Sequence, residues 1–261
     1  DAGLSFVADP MFRLFDIFQP ITSGIRGFSL GPQENYFDNN VFFSRPQVGE
    51  IDTTATGFTY RYIHPELLPK HRKMVILPSP FTLLMLSTFS GVKGYELPND
   101  RKEGLVADLA YLIGAEAQHL ANTGFTRVQY DEPVAVYRQY LKGEFSPERY
   151  AEITEEDVRL LKIAMRSCGK IRGATTVLHT YFGNAAPIMN KLLELEVDGL
   201  GIDATRTSID GILKHKFRDK ELAIGLLDAR NTREESTAEI MQQLERLAET
   251  EPGAIWVVPN T

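Results

Sequence analysis

The sequence is short of cysteine, with only Cys168 among its 261 residues. A single thiol can form neither an internal disulfide nor a thiolate zinc site, which is typical of a chain in a reducing compartment. Long hydrophobic runs are also missing, since no apolar stretch approaches the roughly 18 residues that span a bilayer. Residues 1–10 lack the basic start of a signal peptide. These absences predict a cytoplasmic chain that does not enter a membrane.

Positive charge is scarce as well. The chain has 28 Lys and Arg against 35 Asp and Glu, a formal net charge of −7 and a pI near 5.4. No run of Lys or Arg is present, and nucleic-acid affinity depends on clustered cationic side chains that release counterions. We therefore expect no nucleic-acid partner.

Several common catalytic patterns are absent. Neither G-x-G-x-x-G nor G-x-x-x-x-G-K-[ST] occurs, so a glycine-rich phosphate cradle for a nucleotide is not expected. Ser79 lies between two prolines and does not form the G-x-S-x-G elbow of serine hydrolases. Cys168 has no histidine in its own segment, which argues against a cysteine nucleophile.

What the sequence does have is a repeated unit: a short continuous apolar run, a polar or glycine-bearing turn, and a segment of helical period. The apolar runs lie at residues 3–8, 73–77, 125–130, 170–178, 199–202, 222–227 and 254–258. Continuous runs are typical of parallel strands that are covered on both faces. We therefore predict an α/β fold, a (β/α)₈ TIM-type barrel that forms a single domain over residues 1–261.

Seven strands are one fewer than the eight of a closed barrel. We expect the first strand and a closing helix to lie outside this sequence, although an open sheet fits the same pattern. The helices between the strands are marked by capping residues. Thr154 and Asp157 form a capping-box pattern with Gly169 after the helix, and Thr232 with Glu235 predicts the start of another.

One segment breaks this rhythm. Residues 40–48 and 57–63 are predicted to form a β-hairpin, joined by a Thr-rich loop, within an insertion that covers about residues 36–66. The segment is rich in aromatic residues, namely Phe37, Phe42, Phe43, Phe58, Tyr60 and Tyr62. Such a hairpin either covers the mouth of the barrel or packs its aromatic side chains against the rim or a partner chain.

Polar side chains cluster where the predicted strands end. They are Asp9, Asp131, Glu132, His179, Asp203, Arg206, Asp228, Arg230 and Asn231. In a parallel barrel the loops that follow the strands gather around one mouth, where active sites form. Each carboxylate can instead cap a helix or pair with an Arg, and His179 can be either a general acid or base or a hydrogen-bonded rim residue. As a set they suit binding of an amino group, a metal or a polar substrate.

These strand ends resemble a known family. The segments VQYDEP (128–133), LHTYFG (178–183), GIDATR (201–206) and LDARN (227–231), with ADP (8–10) and LPSPFT (77–82), resemble the cobalamin-independent methionine synthase family. The resemblance covers nearly the whole chain and keeps the motifs in order. It implies a fold of (β/α)₈ barrels, of which the C-terminal one in that family carries a zinc ion that activates the sulfur of homocysteine for methyl transfer.

The resemblance also implies what this chain lacks. The family's zinc ligands are a His-x-Cys pair, a Glu and a second Cys, and the matching positions here are Tyr181, Gly183, Asp203 and approximately Thr261. We therefore expect no metal and no bound cofactor at the family's zinc position. The segment that contains Tyr181 is closer to the family's N-terminal barrel, which has lost the metal.

Other family positions do match this chain. Asp9 and Asp131 correspond to the acidic residues that hold the homocysteine amino group, which implies that the amino-acid pocket is retained. We expect His179 and Asp203 to be catalytic. The expected substrate-binding residues are Asp9, Asp131, Glu132, Tyr181, Arg206, Asp228, Arg230 and Asn231.

The resemblance implies a transferase of methionine and amino-acid biosynthesis, similar to 5-methyltetrahydropteroyltriglutamate–homocysteine methyltransferases. Its substrates are homocysteine and a methyl donor, either methyltetrahydrofolate or a methylcorrinoid, and its expected partner is a zinc-bearing homologous barrel. The alternative is a non-catalytic scaffold or substrate-binding subunit of a split methionine synthase. A barrel related to uroporphyrinogen decarboxylase needs more basic contacts than Arg206 and Arg230 provide.

Overall fold

The computed structural model of the chain describes residues 3–9, 11, 13–35, 37, 42–89, 99–137, 153–232 and 234–260. The strands are β1 (Val7–Ala8), β2 (Phe28–Glu34), β3 (Phe43–Val48), β4 (Lys73–Pro78), β5 (Thr88–Phe89), β6 (Arg127–Asp131), β7 (Thr175–Thr180), β8 (Gly199–Asp203), β9 (Glu221–Leu227) and β10 (Ile255–Pro259). The α-helices are α1 (Gln19–Gly24), α2 (Pro80–Leu86), α3 (Asn99–Asn122), α4 (Glu155–Cys168), α5 (Met189–Leu193), α6 (Ile209–Ile212) and α7 (Thr237–Ala248). Short 3₁₀ helices lie at Thr59–Arg61, Pro65–Leu67 and Ala186–Ile188.

Seven of these strands form one sheet in the order β1-β4-β6-β7-β8-β9-β10. Every neighbouring pair in it is parallel, because each strand is joined to the next by a crossover connection. The seven strands lie where the seven apolar runs predicted them. The predicted TIM-type α/β barrel is therefore confirmed, and the described residues supply seven strands of the eight that a closed barrel has.

Side chains from distant strands show that the sheet curls. Arg127 at the start of β6 forms an ion pair of 2.7 Å with Glu221 at the start of β9, although two strands separate β6 from β9. Trp256 of β10 donates to the same carboxylate at 2.8 Å, and its ring lies 5.1 Å from that of Phe6. These four side chains come from the N-terminal ends of their strands. They therefore form a floor inside the barrel, at the end opposite the expected site.

Helices α3 and α4 cover the outer face of the sheet. Leu109 and Leu160, one on each helix, are fully buried, as expected for the apolar faces of helices that pack on a sheet. The capping box of Thr154 and Asp157 is confirmed at the start of α4. Helix α7 begins at Thr237, so the start predicted at Thr232 was wrong. Among the described helices, none is both long and apolar enough to cross a bilayer.

The prediction that residues 40–48 pair with residues 57–63 in a β-hairpin was also wrong. Strand β3 pairs antiparallel with β2, which precedes it, and in parallel with β5, whereas residues 57–63 contain a 3₁₀ helix. The reason is that the buried Glu116 of α3 accepts hydrogen bonds from the backbone N–H groups of Gly57 and Thr59. Those groups are then not available to a strand ladder. Residues 36 and 38–41 of the predicted insertion lie outside the described residues.

Candidate functional site

Three of the polar strand-end residues, Asp131, His179 and Asp203, lie at the C-terminal mouth of the barrel. Asp131 of β6 is aligned with His179 of β7, His179 with Gly201 of β8, and Asp203 of β8 with Gly225 of β9. Because side chains alternate along a strand, Asp131, His179 and Asp203 lie on the same face of the sheet. Arg127 of the floor lies on that face too, so the three side chains belong to the barrel interior.

Asp131 is a half-buried carboxylate with neutral hydrogen-bond partners. Its Oδ1 accepts from Gln129 Nε2 at 2.9 Å and its Oδ2 from the Tyr181 hydroxyl at 3.2 Å. Burial raises the pKa of Asp131 to about 6, and the two hydrogen bonds only partly offset that rise. This carboxyl therefore gains more from a cationic ligand than one that already has a charged partner.

His179 lies next to Asp131 and is 2% exposed. Both of its ring nitrogens are buried without a hydrogen-bond partner among the described residues, and burial lowers its pKa to about 4. The ring fits beside Gly201, where a Cβ would come within 2.5 Å of His179 Cδ2. Its edge also faces Tyr181, with ring centroids 5.7 Å apart. His179 is thus a neutral imidazole whose nitrogens remain free to bind a ligand or water.

A second group of polar side chains, which we call the mouth network, consists of Asp203, Thr205, Asp228, Arg230 and Asn260. Asp203 is 1% exposed, and its Oδ1 accepts from the backbone N–H and the hydroxyl of Thr205. Arg230 donates to Thr205 Oγ1 at 2.9 Å and lies 3.5 Å from both Asp203 Oδ2 and Asp228 Oδ1. The guanidinium therefore joins the loops that follow β8 and β9.

Asn260, at the end of β10, completes the mouth network and was not predicted. It is fully buried, its Nδ2 donates to Asp228 Oδ1 at 3.0 Å and to Thr205 Oγ1 at 3.3 Å, and its Oδ1 accepts from the Ala229 backbone N–H at 3.1 Å. Gly225 leaves room for it, because a Cβ there would lie 2.7 Å from Asn260 Cα. Hydrogen bonds from Asn260, Asn231 and the Arg230 backbone N–H outweigh partial burial and lower the pKa of Asp228.

An open cleft of about 770 Å³ lies against the mouth network, three of whose members line it. Its lining residues are Phe37, Val136, Tyr137, Phe182, Gly183, Asn184, Thr205, Arg206, Asp228 and Arg230. The ring of Phe182 contacts those of Phe37 and Tyr181, with centroids 5.1 Å and 4.7 Å apart. Phe37 thus brings the inserted segment to the mouth. Phe182 lines the cleft and contacts Tyr181, whose hydroxyl is hydrogen-bonded to Asp131. The two rings therefore lie between the cleft wall and that carboxyl.

Two predicted substrate-binding residues instead hold backbone. Glu132 is fully buried, and its two oxygens accept from the N–H groups of Thr82 and Ala135, while burial raises its pKa to about 7. Asp9 accepts from the N–H groups of Met11 and His64. Strand β1 ends at Ala8, which is aligned with Met74, four residues before the position aligned with Asp131. The structure therefore does not bring Asp9 and Asp131 together.

The remaining predicted residues lie at the mouth. Arg206 is exposed and lines the cleft, and Asn231 is exposed and donates to Asp228 Oδ2 at 2.6 Å. Sequence reasoning missed Gln129, Thr205, Phe182 and Asn260. The signal that marks Phe182 lies in its backbone and not in the sequence. Its φ is 67°, and such angles are uncommon for non-glycine residues and occur most often at functional sites.

The residues at the family's zinc position do not fit a zinc ion. The Tyr181 hydroxyl is bonded to Asp131, Gly183 has no side chain, and Asp203 already has Arg230 beside it. Among the described residues, no group of three His, Cys, Asp or Glu side chains is arranged to hold a metal ion. Thr261, the position expected for the last ligand, lies outside the described residues.

Comparison with known proteins agrees with this architecture. The chain is 25% identical to the methionine synthase of Sulfolobus acidocaldarius over 272 residues, which covers 100% of this chain and 70% of that protein. It is 24% identical to the methionine synthase of Methanothermobacter thermautotrophicus over 256 residues, which covers 95% of this chain and 73% of that protein. Both similarities therefore extend along nearly the whole sequence.

Two solved structures share the fold. A B12-independent methionine synthase from Shewanella sp. W3-18-1, in complex with selenomethionine, superposes with a TM-score of 0.71 at 16% identity, over 99% of this chain and 76% of that one. A methyltransferase from Methanosarcina mazei gives a TM-score of 0.60 at 13% identity, with the same coverage. The sequence pattern described as "Cobalamin-independent synthase, N-terminal domain" matches residues 31–252. The chain therefore belongs to the cobalamin-independent methionine synthase family, in which it matches the N-terminal domain.

Proposed function

We propose that this chain acts in methyl transfer to homocysteine in methionine biosynthesis, together with a zinc-bearing partner barrel. Membership of the methionine synthase family supports the reaction class. A partner is needed because the mouth network already holds a cation beside Asp203, the position that matches a zinc ligand of the family. Activation of the homocysteine thiol therefore has to come from outside this chain.

The observation that carries the proposal is a contrast among the five strand-end carboxylates. Four of them, Asp9, Glu132, Asp203 and Asp228, accept hydrogen bonds from backbone N–H groups. Asp131 alone among the five accepts only from side chains, and both of those are neutral. A carboxylate in that state favours a cation, since an opposite charge nearby stabilises its ionised form. The α-ammonium of homocysteine is a cation of the required kind.

The parts of the site divide the work. Asp131 would bind and orient the amino group of the amino acid, while His179 would offer a hydrogen bond from its unpaired ring nitrogens. The rings of Tyr181 and Phe182 would exclude water from that pocket. The outer cleft, with its aromatic wall and the exposed Arg206, would accept the methyl donor, either methyltetrahydrofolate or a methylcorrinoid.

Calorimetric titration tests the binding half of the proposal. We expect the wild-type chain to bind homocysteine, and Asp131→Asn to bind it at least about tenfold more weakly, since a hydrogen bond to a charged group contributes about 1.5–3 kcal/mol. Asp210→Asn is the matched control, because Asp210 is an exposed aspartate on α6. Equal affinities of the three proteins would rule out the Asp131 pocket.

Reconstitution tests the catalytic half. Methyl transfer to homocysteine is measured with a zinc-bearing homologous barrel alone, with this chain added, and with Asp131→Asn added. Activity that rises with the wild-type chain and falls with Asp131→Asn supports a catalytic partner.

A second function has its own observation in favour. Because four of the five strand-end carboxylates hold backbone, the mouth can also belong to a non-catalytic scaffold or a substrate-binding subunit of a split methionine synthase. For a scaffold, the wild-type chain and Asp131→Asn would affect the partner's activity equally; for a substrate-binding subunit, the loss with Asp131→Asn would be overcome by a high homocysteine concentration.

A further inference from the structure

We propose that Arg230 is the resident cation of this mouth and that its guanidinium closes the Asp203 position to a divalent metal ion. The proposal goes beyond methyl transfer and does not depend on it. It starts from Asp203, whose side chain is 0% exposed. A buried carboxylate is costly unless it is hydrogen-bonded and paired with a positive charge. The charged partner that the structure places beside Asp203 is Arg230, at 3.5 Å.

The guanidinium is held on several sides. One terminal nitrogen of Arg230 donates to Thr205 Oγ1 at 2.9 Å, its Nε lies 3.5 Å from Asp228 Oδ1, and its Cζ lies over the Phe182 ring, 5.4 Å from the ring centroid. Thr205 in turn donates to Asp203 Oδ1 at 2.6 Å. Hydrogen bonds and a ring contact of this kind suit a guanidinium, which stays charged at all ordinary pH values and carries its N–H donors in a rigid fork.

Asn260 acts as a positioning residue for this cation. Its amide bonds both Thr205 and Asp228, and these are two of the groups that contact Arg230. Two carboxylates, one guanidinium and two neutral side chains thus form a closed hydrogen-bonded ring. A metal ion at Asp203 would have to displace the guanidinium and break this ring.

Metal titration tests the proposal directly. Zn²⁺ binding is measured by calorimetry for the wild-type chain, Arg230→Gln and Arg206→Gln, where Arg206 lines the same cleft but pairs with neither carboxylate. We expect Arg230→Gln to bind Zn²⁺ more tightly than the other two proteins, because it leaves Asp203 and Asp228 without a cation. Equal binding by all three, or stoichiometric zinc in the purified wild-type chain, would overturn the proposal.

Thermal unfolding gives an independent readout. We expect Arg230→Gln to unfold at a lower temperature than the wild type, and the double variant Asp203→Asn/Arg230→Gln to recover part of that loss, because it no longer buries an unpaired carboxylate. Additive effects of the two substitutions would contradict the pairing. If Arg230→Gln does not fold, the double variant is still expected to fold, and its failure as well would count against the proposal.

Discussion

The Tyr181 hydroxyl donates a hydrogen bond of 3.2 Å to Oδ2 of Asp131. Gln129 donates to the other oxygen of the same carboxyl at 2.9 Å. Neither donor carries a charge, so they offset only part of the loss of water around Asp131, and its pKa rises to about 6. The folded chain therefore holds this carboxylate at an energetic cost, which substitutions can measure.

We expect Asp131→Asn to be more stable than the wild type at neutral pH. Folding raises the pKa of Asp131 from 3.8 to about 6, so the folded state binds the proton more tightly. The contribution of this tighter proton binding to the free energy of unfolding is largest below about pH 4 and is lost as the pH rises through about 6. Asn avoids the buried charge, and the expected gain is about 1–3 kcal/mol at pH 7. Urea unfolding at several pH values measures it.

The sign of that effect separates a ligand site from a structural one. Asp131→Asn should gain stability while it loses homocysteine affinity, which is the trade-off expected of a binding residue. The gain should disappear at about pH 3 and below, where the wild-type carboxyl is protonated in both states. A loss of stability at pH 7 would mean that the carboxylate serves the fold.

His179 should produce the opposite pH dependence. Burial lowers its pKa from 6.5 to about 4, so the unfolded chain binds the proton more tightly and the wild type loses stability as the pH falls from 6.5 to 4. His179→Phe removes this titration. We therefore expect its free energy of unfolding to fall by about 3 kcal/mol less than that of the wild type over this pH range. Unfolding free energies at pH 7 and pH 4.5 test this. Parallel changes in both proteins would place the imidazole in contact with water.

Gly201 should tolerate no side chain. A Cβ there would lie 2.5 Å from His179 Cδ2 and 2.9 Å from His179 Cα, so Gly201→Ala must shift either the ring or a strand. We expect a loss of about 1–3 kcal/mol, as for other overpacked cores. Gly104→Ala on helix α3 is the control, because nothing lies within 4 Å of its Cβ, and it should gain about 0.5–1 kcal/mol. Chemical denaturation compares the two.

Asn260→Ala should loosen the mouth network. The substitution removes a fully buried amide together with its hydrogen bonds to the Ala229 N–H, Asp228 and Thr205, at an expected cost of about 1–3 kcal/mol in the free energy of unfolding. Asn231→Ala removes a neighbouring but exposed amide and should change stability by no more than about 0.5 kcal/mol. Similar losses for both variants would show that Asn260 has no special part in positioning Asp228.

The parallel sheet and the positions of its strands could be predicted from the sequence. Continuous apolar runs indicate parallel strands covered on both faces, and the seven predicted runs became the seven strands of one parallel sheet. Because parallel strands end at one edge, the sequence also predicted that Asp131, His179 and Asp203 share a mouth. The capping box at Thr154 is a local pattern and was predicted for the same reason.

Contacts between segments that lie far apart in the chain could not be predicted from the sequence. The backbone of residues 57–63 was expected in a strand, but Glu116, about sixty residues away in the chain, holds Gly57 and Thr59 and the segment turns instead. Asp9 and Asp131 looked equivalent in sequence, yet β1 leaves the sheet early and Asp9 holds backbone. Asn260 was not predicted at all, because its burial depends on the space that Gly225 leaves on the neighbouring strand.

The sequence by itself determined the barrel and the end at which its polar residues collect, because apolar period and strand ends are local properties of the chain. Only the tertiary structure decided what each carboxylate does. Asp131 and Asp203 end strands β6 and β8 of the same sheet, but Arg230 reaches Asp203 from the loop after β9, while the donors that reach Asp131 are neutral. Charge compensation depends on which side chains meet in space, and that difference separates the ion-paired Asp203 from Asp131, whose hydrogen-bond donors are neutral.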